Sequence, residues 1–246
     1  MVGGAGDDTY FVDNASDAAF ENPGEGTDAV FSTAHYGLAA DVEILVLQGI
    51  ADLQGYGNNQ ANTLYGSTGN NLLNGAGGAD VMYGGAGNDT CFVDNGLDQV
   101  IEKPNEGTDV IFASTHFVLS ANVETLVQQG SGDLGGTGNA LANSLFGNSG
   151  NNTLDGQGGA DVLTGNAGND TFVFIIGQGN GDTVVDFAGN GAAAGDSLQF
   201  VGYGSNATLT QNDATHWQVN FNGGASHETI TFMNGAFIDP TDVVFG

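Results

Sequence analysis

The sequence predicts an all-β chain: a right-handed parallel β-helix solenoid of nonapeptide repeats, closed by a C-terminal β cap. Three observations carry that prediction. Glycine-initiated nonapeptides run in two blocks, GNNQANTLY, GSTGNNLLN, GAGGADVMY and GGAGNDTCF from Gly57, and GNALANSLF, GNSGNNTLD, GQGGADVLT and GNAGNDTFV from Gly138. A second period, nine nonapeptides in length, lies over the first. GGAGDDTYFVDN at Gly3 returns as GGAGNDTCFVDN at Gly84, Glu25-Gly26-Thr27-Asp28 returns as Glu106-Gly107-Thr108-Asp109, and a third start stands at Gly165. After Phe174 the repeat gives way to ordinary alternating segments. Fixed periods of this kind mark repeat architectures.

The nonapeptide sets the first elements. Its opening stretch, rich in glycine, Asp and Asn, suits a tight turn, because glycine tolerates positive φ. The remaining three positions form a short strand that points its middle side chain inward. That middle residue is apolar every time: Leu64, Leu73, Met82 and Cys91, then Leu145, Leu154, Leu163 and Phe172. A turn and a strand make half a coil, so two nonapeptides complete one coil of a parallel β-roll. A long copy holds nine half-coils, an odd number, so successive copies should start on opposite sides of the roll.

Between the blocks, Val30-Phe31 and Val42 to Leu47, with Ile111-Phe112 and Val123 to Val127, read as strands of wider coils that carry fewer metals. Asp182 to Phe187, Ser197 to Phe200, Trp217 to Phe221 and Glu228 to Phe232 alternate as strands. A solenoid's last coil needs covering. The expected organisation is therefore a first copy over 1–83, a second over 84–164, last roll turns over 165–182 and a cap over 183–246.

Composition excludes whole classes of function. The chain has 29 acidic residues against one base, Lys103, and a formal charge of −28. A single lysine among 29 acids cannot displace counterions from phosphates, so nucleic acid is not its partner. No apolar run is long enough to span a membrane, and an anionic membrane surface would repel it. Glycine at 43 residues with only 3 prolines, together with high charge, would argue for disorder, yet 40% of the residues are apolar and regularly placed. The two facts agree if a cation from outside neutralises the acids, and calcium suits clustered carboxylates and carbonyls. The one cysteine, Cys91, forms no intrachain disulfide and sits at an inward strand position, as a small hydrophobe. The chain opens inside a repeat without a signal peptide, as expected of a piece of a longer protein.

The sixth turn position is where a metal-binding carboxylate belongs. It holds Asp8, Asp80, Asp89, Asp161 and Asp170, and in weaker copies Asn62, Asn71, Asn143 and Asn152. Asparagine keeps a carbonyl ligand but loses the charge. Less regular turns add Asp17, Asp28, Asp98, Asp109 and Asp182. At two nonapeptides per coil, Asn62 stacks with Asp80, Asp80 with Asp98, Asn71 with Asp89, Asn143 with Asp161 and Asn152 with Asp170; Asp89 with Asp109 and Asp161 with Asp182 extend the files. Each pair supplies two side-chain oxygens, and turn carbonyls must supply the rest of a calcium shell of six to eight.

The pattern Gly-Gly-x-Gly-x-Asp-x-apolar-x resembles the RTX (repeats-in-toxin) nonapeptide over residues 3 to about 187. The resemblance implies a Ca²⁺-binding β-roll holding several ions, in which turn carbonyls complete each site. Carried over, it implicates Gly85, Gly87 and Asp89 on one side of a turn and Gly84, Ala86 and Asp89 on the other. The same logic names Gly75, Gly77 and Gly78 with Asp80, and Gly156, Gly158 and Gly159 with Asp161. Equivalent positions are Gly3, Gly4 and Gly6, and Gly165, Ala167 and Gly168. It further implies a secreted, extracellular protein exported by type I secretion machinery, for which Asp242-Val243-Val244-Phe245 is a short candidate signal.

No nucleophile or zinc-protease motif is present, so the chain is expected not to be an enzyme itself. His35 and His116 read as packed or surface residues copied by duplication rather than metal ligands. Two rivals stand beside the structural-module reading. One is the C-terminal module of a secreted protease, lipase or polysaccharide epimerase. The other is an adhesin segment with a polysaccharide, cell-surface or ice target, which regular outward files of Thr or Asn would favour; here the outward residues Thr63, Leu72, Val81 and Thr90 are mixed.

Overall fold

The computed structural model describes residues 1–189 and 195–246; the predicted cap range thus includes residues 190–194, which lie outside the described ones. The chain divides into two compact units, Met1–Thr115 with Ser120–Val123, and His116–Leu119 with Glu124–Gly246. This division falls inside the second long copy. Each unit contains one nonapeptide block.

In the first unit, one parallel ladder runs Thr9–Val12, Ala29–Ser32, Ile44–Leu47, Thr63–Tyr65, Val81–Tyr83, Gln99–Ile101. A second runs Tyr36–Gly37, Gln54–Tyr56, Leu72–Asn74, Thr90–Val93, Val110–Ala113. The chain alternates between them, so the inner faces of both ladders share one core. The strands are short because only one or two side chains per half-coil turn inward. Leu64, Leu73 and Met82 are fully buried, as expected of the eighth position, as is Leu45 between the blocks, and Cys91 is a free, buried thiol. Thr9–Val12 and Thr90–Val93, which follow the equivalent turns of the first two copies, lie in different ladders of this unit, as nine half-coils require.

Register confirms the coil length. Thr63 pairs with Val81 and Leu72 with Thr90, in each case two nonapeptides on. Outside the blocks the advance varies. Thr9 pairs with Ala29 and Ile44 with Thr63, wider coils as expected, but Ala29 pairs with Ile44, which makes that coil narrower. The wider turns still fit tightly: a side chain at Gly26 or Gly107 would strike the backbone carbonyl of Gly6 or Gly87, which accounts for the glycine in both Glu-Gly-Thr-Asp segments.

The second unit repeats the plan. One ladder runs Phe117–Val118, Gly135–Thr137, Thr153–Asp155, Thr171–Ile175, Ser197–Val201, Val243–Phe245; the other begins Thr125–Gln128, Ser144–Phe146, Val162–Thr164, Thr183–Val184. Leu126, Leu145, Leu154, Leu163 and Phe172 are fully buried between them. Parallel stacking therefore continues through Ser197–Val201, beyond the expected start of the cap. Antiparallel pairing begins only with Thr208–Gln211, His216–Phe221 and Ser226–Phe232, the last of which docks in parallel on Thr183–Val184. Phe187, Phe200 and Phe232 fill the interior there.

Candidate metal centre

The nonapeptide turns that carry aspartate share one backbone shape. Their second and fourth residues have positive φ: Gly4 and Gly6 (95° and 115°), Gly85 and Gly87 (92° and 125°), Ala76 and Gly78 (59° and 140°), Gln157 and Gly159 (61° and 136°), Asn166 and Gly168 (68° and 134°). A φ near 60° is left-handed and tolerable for a non-glycine residue, whereas the fourth position reaches values that suit glycine. The third residues, Gly77, Ala86, Gly158 and Ala167, sit between the two reversals. The fourth glycine also passes close to the coil before: a Cβ on Gly87 would lie 2.5 Å from the Gly69 carbonyl oxygen.

This shape turns the sixth residue inward, where its carboxylate meets the preceding coil. One carboxylate oxygen of each accepts a backbone N–H from the sixth residue one coil earlier. Asn62 donates to Asp80 (2.8 Å), Asp80 to Asp98 (2.9 Å), Asn71 to Asp89 (2.6 Å) and Asp89 to Asp109 (2.8 Å). In the second unit Asn143 donates to Asp161 (2.7 Å), Asp161 to Asp182 (3.0 Å) and Asn152 to Asp170 (2.7 Å). Every stacked pair expected from the spacing is present. Asp8 and Asp28 form one more, at 2.8 Å.

The second oxygen is left over. Oδ2 of Asp28, Asp80, Asp89, Asp161 and Asp170 is shielded from water and has no hydrogen-bond partner. Buried polar atoms are normally satisfied, so a repeated orphan at the same turn position points to a ligand. Loss of water pushes Asp80, Asp89, Asp161 and Asp170 up to about 6 and Asp182 to about 7; the N–H bond opposes this and neighbouring carboxylates add to it. No side-chain cation reaches these oxygens, since Lys103 is exposed and pairs with Glu106 at 3.4 Å. All-oxygen, anionic, partly dehydrated donor sets suit a hard divalent cation, and calcium above magnesium, which gives up its water reluctantly.

The asparagine turns are built differently. The side-chain oxygens of Asn62, Asn71, Asn143 and Asn152 each accept the N–H of the second residue of their own turn, from Asn58, Ser67, Asn139 and Asn148, at 2.5–2.7 Å. Their amide groups reach back to carbonyls of the previous coil, as Asn62 does to Val42 (3.1 Å). These turns contain no left-handed residue. An amide thus closes each file with hydrogen bonds where an aspartate leaves an oxygen over.

Sequence reasoning passed over four acids. Glu21 and Glu102 lie outside the nonapeptides, though they are spaced as Gly3 and Gly84 are, which was a usable signal. Asp186 accepts the N–H groups of Gly165 (2.9 Å) and Asn166 (2.8 Å), and Asp196 accepts that of Asp170 (2.8 Å) across a longer stretch of chain. No period reaches those two. His35 and His116 play structural parts, each accepting a backbone N–H at Nδ1, from Gln54 (3.0 Å) and Gly135 (2.7 Å).

A family model for the RTX calcium-binding nonapeptide repeat matches residues 56–91 and 137–172, in four copies. The chain carries RTX calcium-binding repeats. The two matched segments coincide with the two regular nonapeptide blocks, so the orphaned carboxylate oxygens lie in and beside RTX turns, and the blocks form a calcium-binding β-roll. No curated protein matches the chain by sequence. Among solved structures, the extracellular lipase LipA from Serratia marcescens is similar at 17% identity with a TM-score of 0.36, over 89% of this chain and 45% of the lipase. The chain spans less than half of that lipase's length, and an overlap this loose carries nothing about activity.

Proposed function

We propose that this chain is the calcium-folded structural part of a larger secreted bacterial protein: it stays open at cytosolic calcium, leaves through a type I secretion channel, and folds outside where calcium is millimolar. The observation that carries this is the file of buried carboxylates, in which Asp28, Asp80, Asp89, Asp161 and Asp170 each have an oxygen left over and no positive side chain to meet it. Closing the turns without a cation would bury these charges against one another. Metal affinity then becomes folding free energy. Under this reading the chain is not itself catalytic, and any enzymatic domain belongs to another part of the protein. No helix among the described residues is long and apolar enough to cross a membrane. The outward residues Gln54, Leu72, Thr90 and Val110 along one ladder do not form the regular Thr or Asn file an adhesin face would favour.

The test is a calcium titration followed by far-UV circular dichroism, with magnesium as control. Cooperative gain of β signal with calcium alone is expected. A chain already folded in chelator would overturn the export-then-fold reading.

A further inference from the structure

Glu21 and Glu102 occupy equivalent places in the first two long copies, and each meets two aspartates of the turn files. Asp8, Glu21 and Asp28 bring one carboxylate oxygen each to within 4.8 Å of one another, and so do Asp89, Glu102 and Asp109. In the second cluster all three are buried, with 1%, 6% and 2% of their surfaces exposed. The polar bonds around them do not account for the charge. Glu102 Oε1 accepts the Gly84 N–H at 3.1 Å, and Asp109 Oδ1 accepts that of Asp89 at 2.8 Å. Glu102 Oε2 and Asp89 Oδ2 remain buried with no hydrogen-bond partner. Gly84 lies directly beneath, where a Cβ would meet Glu102 Oε1 and lie 2.7 Å from Asp89 Oδ2, so a side chain there would push the two carboxylates away. The first copy repeats the arrangement: Asp28 Oδ1 accepts the Asp8 N–H, Asp28 Oδ2 is orphaned, and a Cβ on Gly3 would lie 2.5 Å from both Glu21 Oε1 and Asp8 Oδ2.

We propose that Asp89, Glu102 and Asp109, and again Asp8, Glu21 and Asp28, each hold one calcium ion in a three-carboxylate site that binds more tightly than the other sites of the turn files. The proposal rests on the reading that the chain binds calcium, and ranks its sites. An ordinary step in a file offers one or two carboxylates, as at Asn62 with Asp80 or Asp80 with Asp98. A third carboxylate raises affinity, since ligand charge tunes calcium binding over orders of magnitude, and exclusion of water strengthens each attraction. Glu102 enters from outside the nonapeptides, so an ion there ties the turn at 84–89 to the segment that follows it. Each of the two copies then has one site that loads first and closes its widest turn.

The experiment is calorimetric calcium titration of the full chain and of Glu21→Gln, Glu102→Gln and the double variant. Glutamine keeps the acceptor for the Gly84 N–H while removing the charge. Wild type should show a tight class of about two ions ahead of the weaker ones. Each single variant should weaken one tight ion by at least about tenfold, and the double variant should abolish the tight class while weaker binding persists. Asp213→Asn, at an exposed acid outside the turn files, should leave the tight class intact, and Glu102→Asp should recover more of it than Glu102→Gln. A single affinity class that the glutamine variants do not move would overturn this inference and leave calcium binding standing. No calcium uptake by the wild type would overturn the function proposed above as well.

Discussion

Acid in chelator should do for the turns what calcium does at neutral pH. Asp80, Asp89, Asp161 and Asp170 are held at about 6 against an ordinary 3.8, chiefly because folding strips water from them. A carboxyl group whose folded pKa is raised binds its proton more tightly in the folded chain, so ionisation works against folding. The penalty is absent below the unfolded value, grows between about 4 and 6, and is complete above the folded value. A rise of roughly two pH units corresponds to at most 2–3 kcal/mol for each aspartate, and water at the turn edges screens part of it. Even half of that from each of these four groups matches the lower end of the whole stability of a domain, about 5 kcal/mol. Glu102, driven to about 8 by burial and by Asp109 and Asp89, and Asp182 at about 7 extend the penalty upward. Far-UV circular dichroism of the chelated chain should therefore show little β structure near pH 8 and a rising β signal as the pH falls, with a midpoint around 6. Saturating calcium should flatten the curve. A chelated chain that is fully folded near pH 8, or that loses structure on going from about 8 to 5, would refute the reasoning.

Other substitutions test separate links. Asp161→Asn removes a buried charge and supplies the amide that Asn143 uses to close its turn, so the chelated chain should resist urea better while calorimetry loses bound calcium. Leu64→Ala or Leu145→Ala, at fully buried inward positions, should each cost about 2–5 kcal/mol in calcium-saturated urea unfolding; Leu97→Ala, 70% exposed, should change it by less than about 0.5. Gly87→Ala should destabilise more than Gly4→Ala by urea unfolding, because both have positive φ but only Gly87 would press a Cβ against a backbone carbonyl, while nothing lies near Gly4.

Much of this fold is local, and the amino-acid pattern determines it alone. Strand residues alternate in and out every two positions, and a tight turn takes a set length of chain, so a nonapeptide period yields an inward Leu64 or Leu163 and a coil of two repeats with no long-range information. The pairing of Asn62 with Asp80, or Asn152 with Asp170, follows by counting. Counting fails where the coil length changes most, because the partner is then chosen by how much chain the turn bulges out. Asp170 meets Asp196 across more chain than two nonapeptides supply. The same holds for Glu102, which reaches the Asp89 turn from a segment with no nonapeptide, and for the late onset of antiparallel pairing at Thr208–Gln211. The part played by the asparagines was also decided in three dimensions. Whether a side-chain oxygen is left for a cation or spent on its own turn depends on the turn's backbone, and an amide, carrying its own donors, satisfies with hydrogen bonds what a carboxylate leaves open.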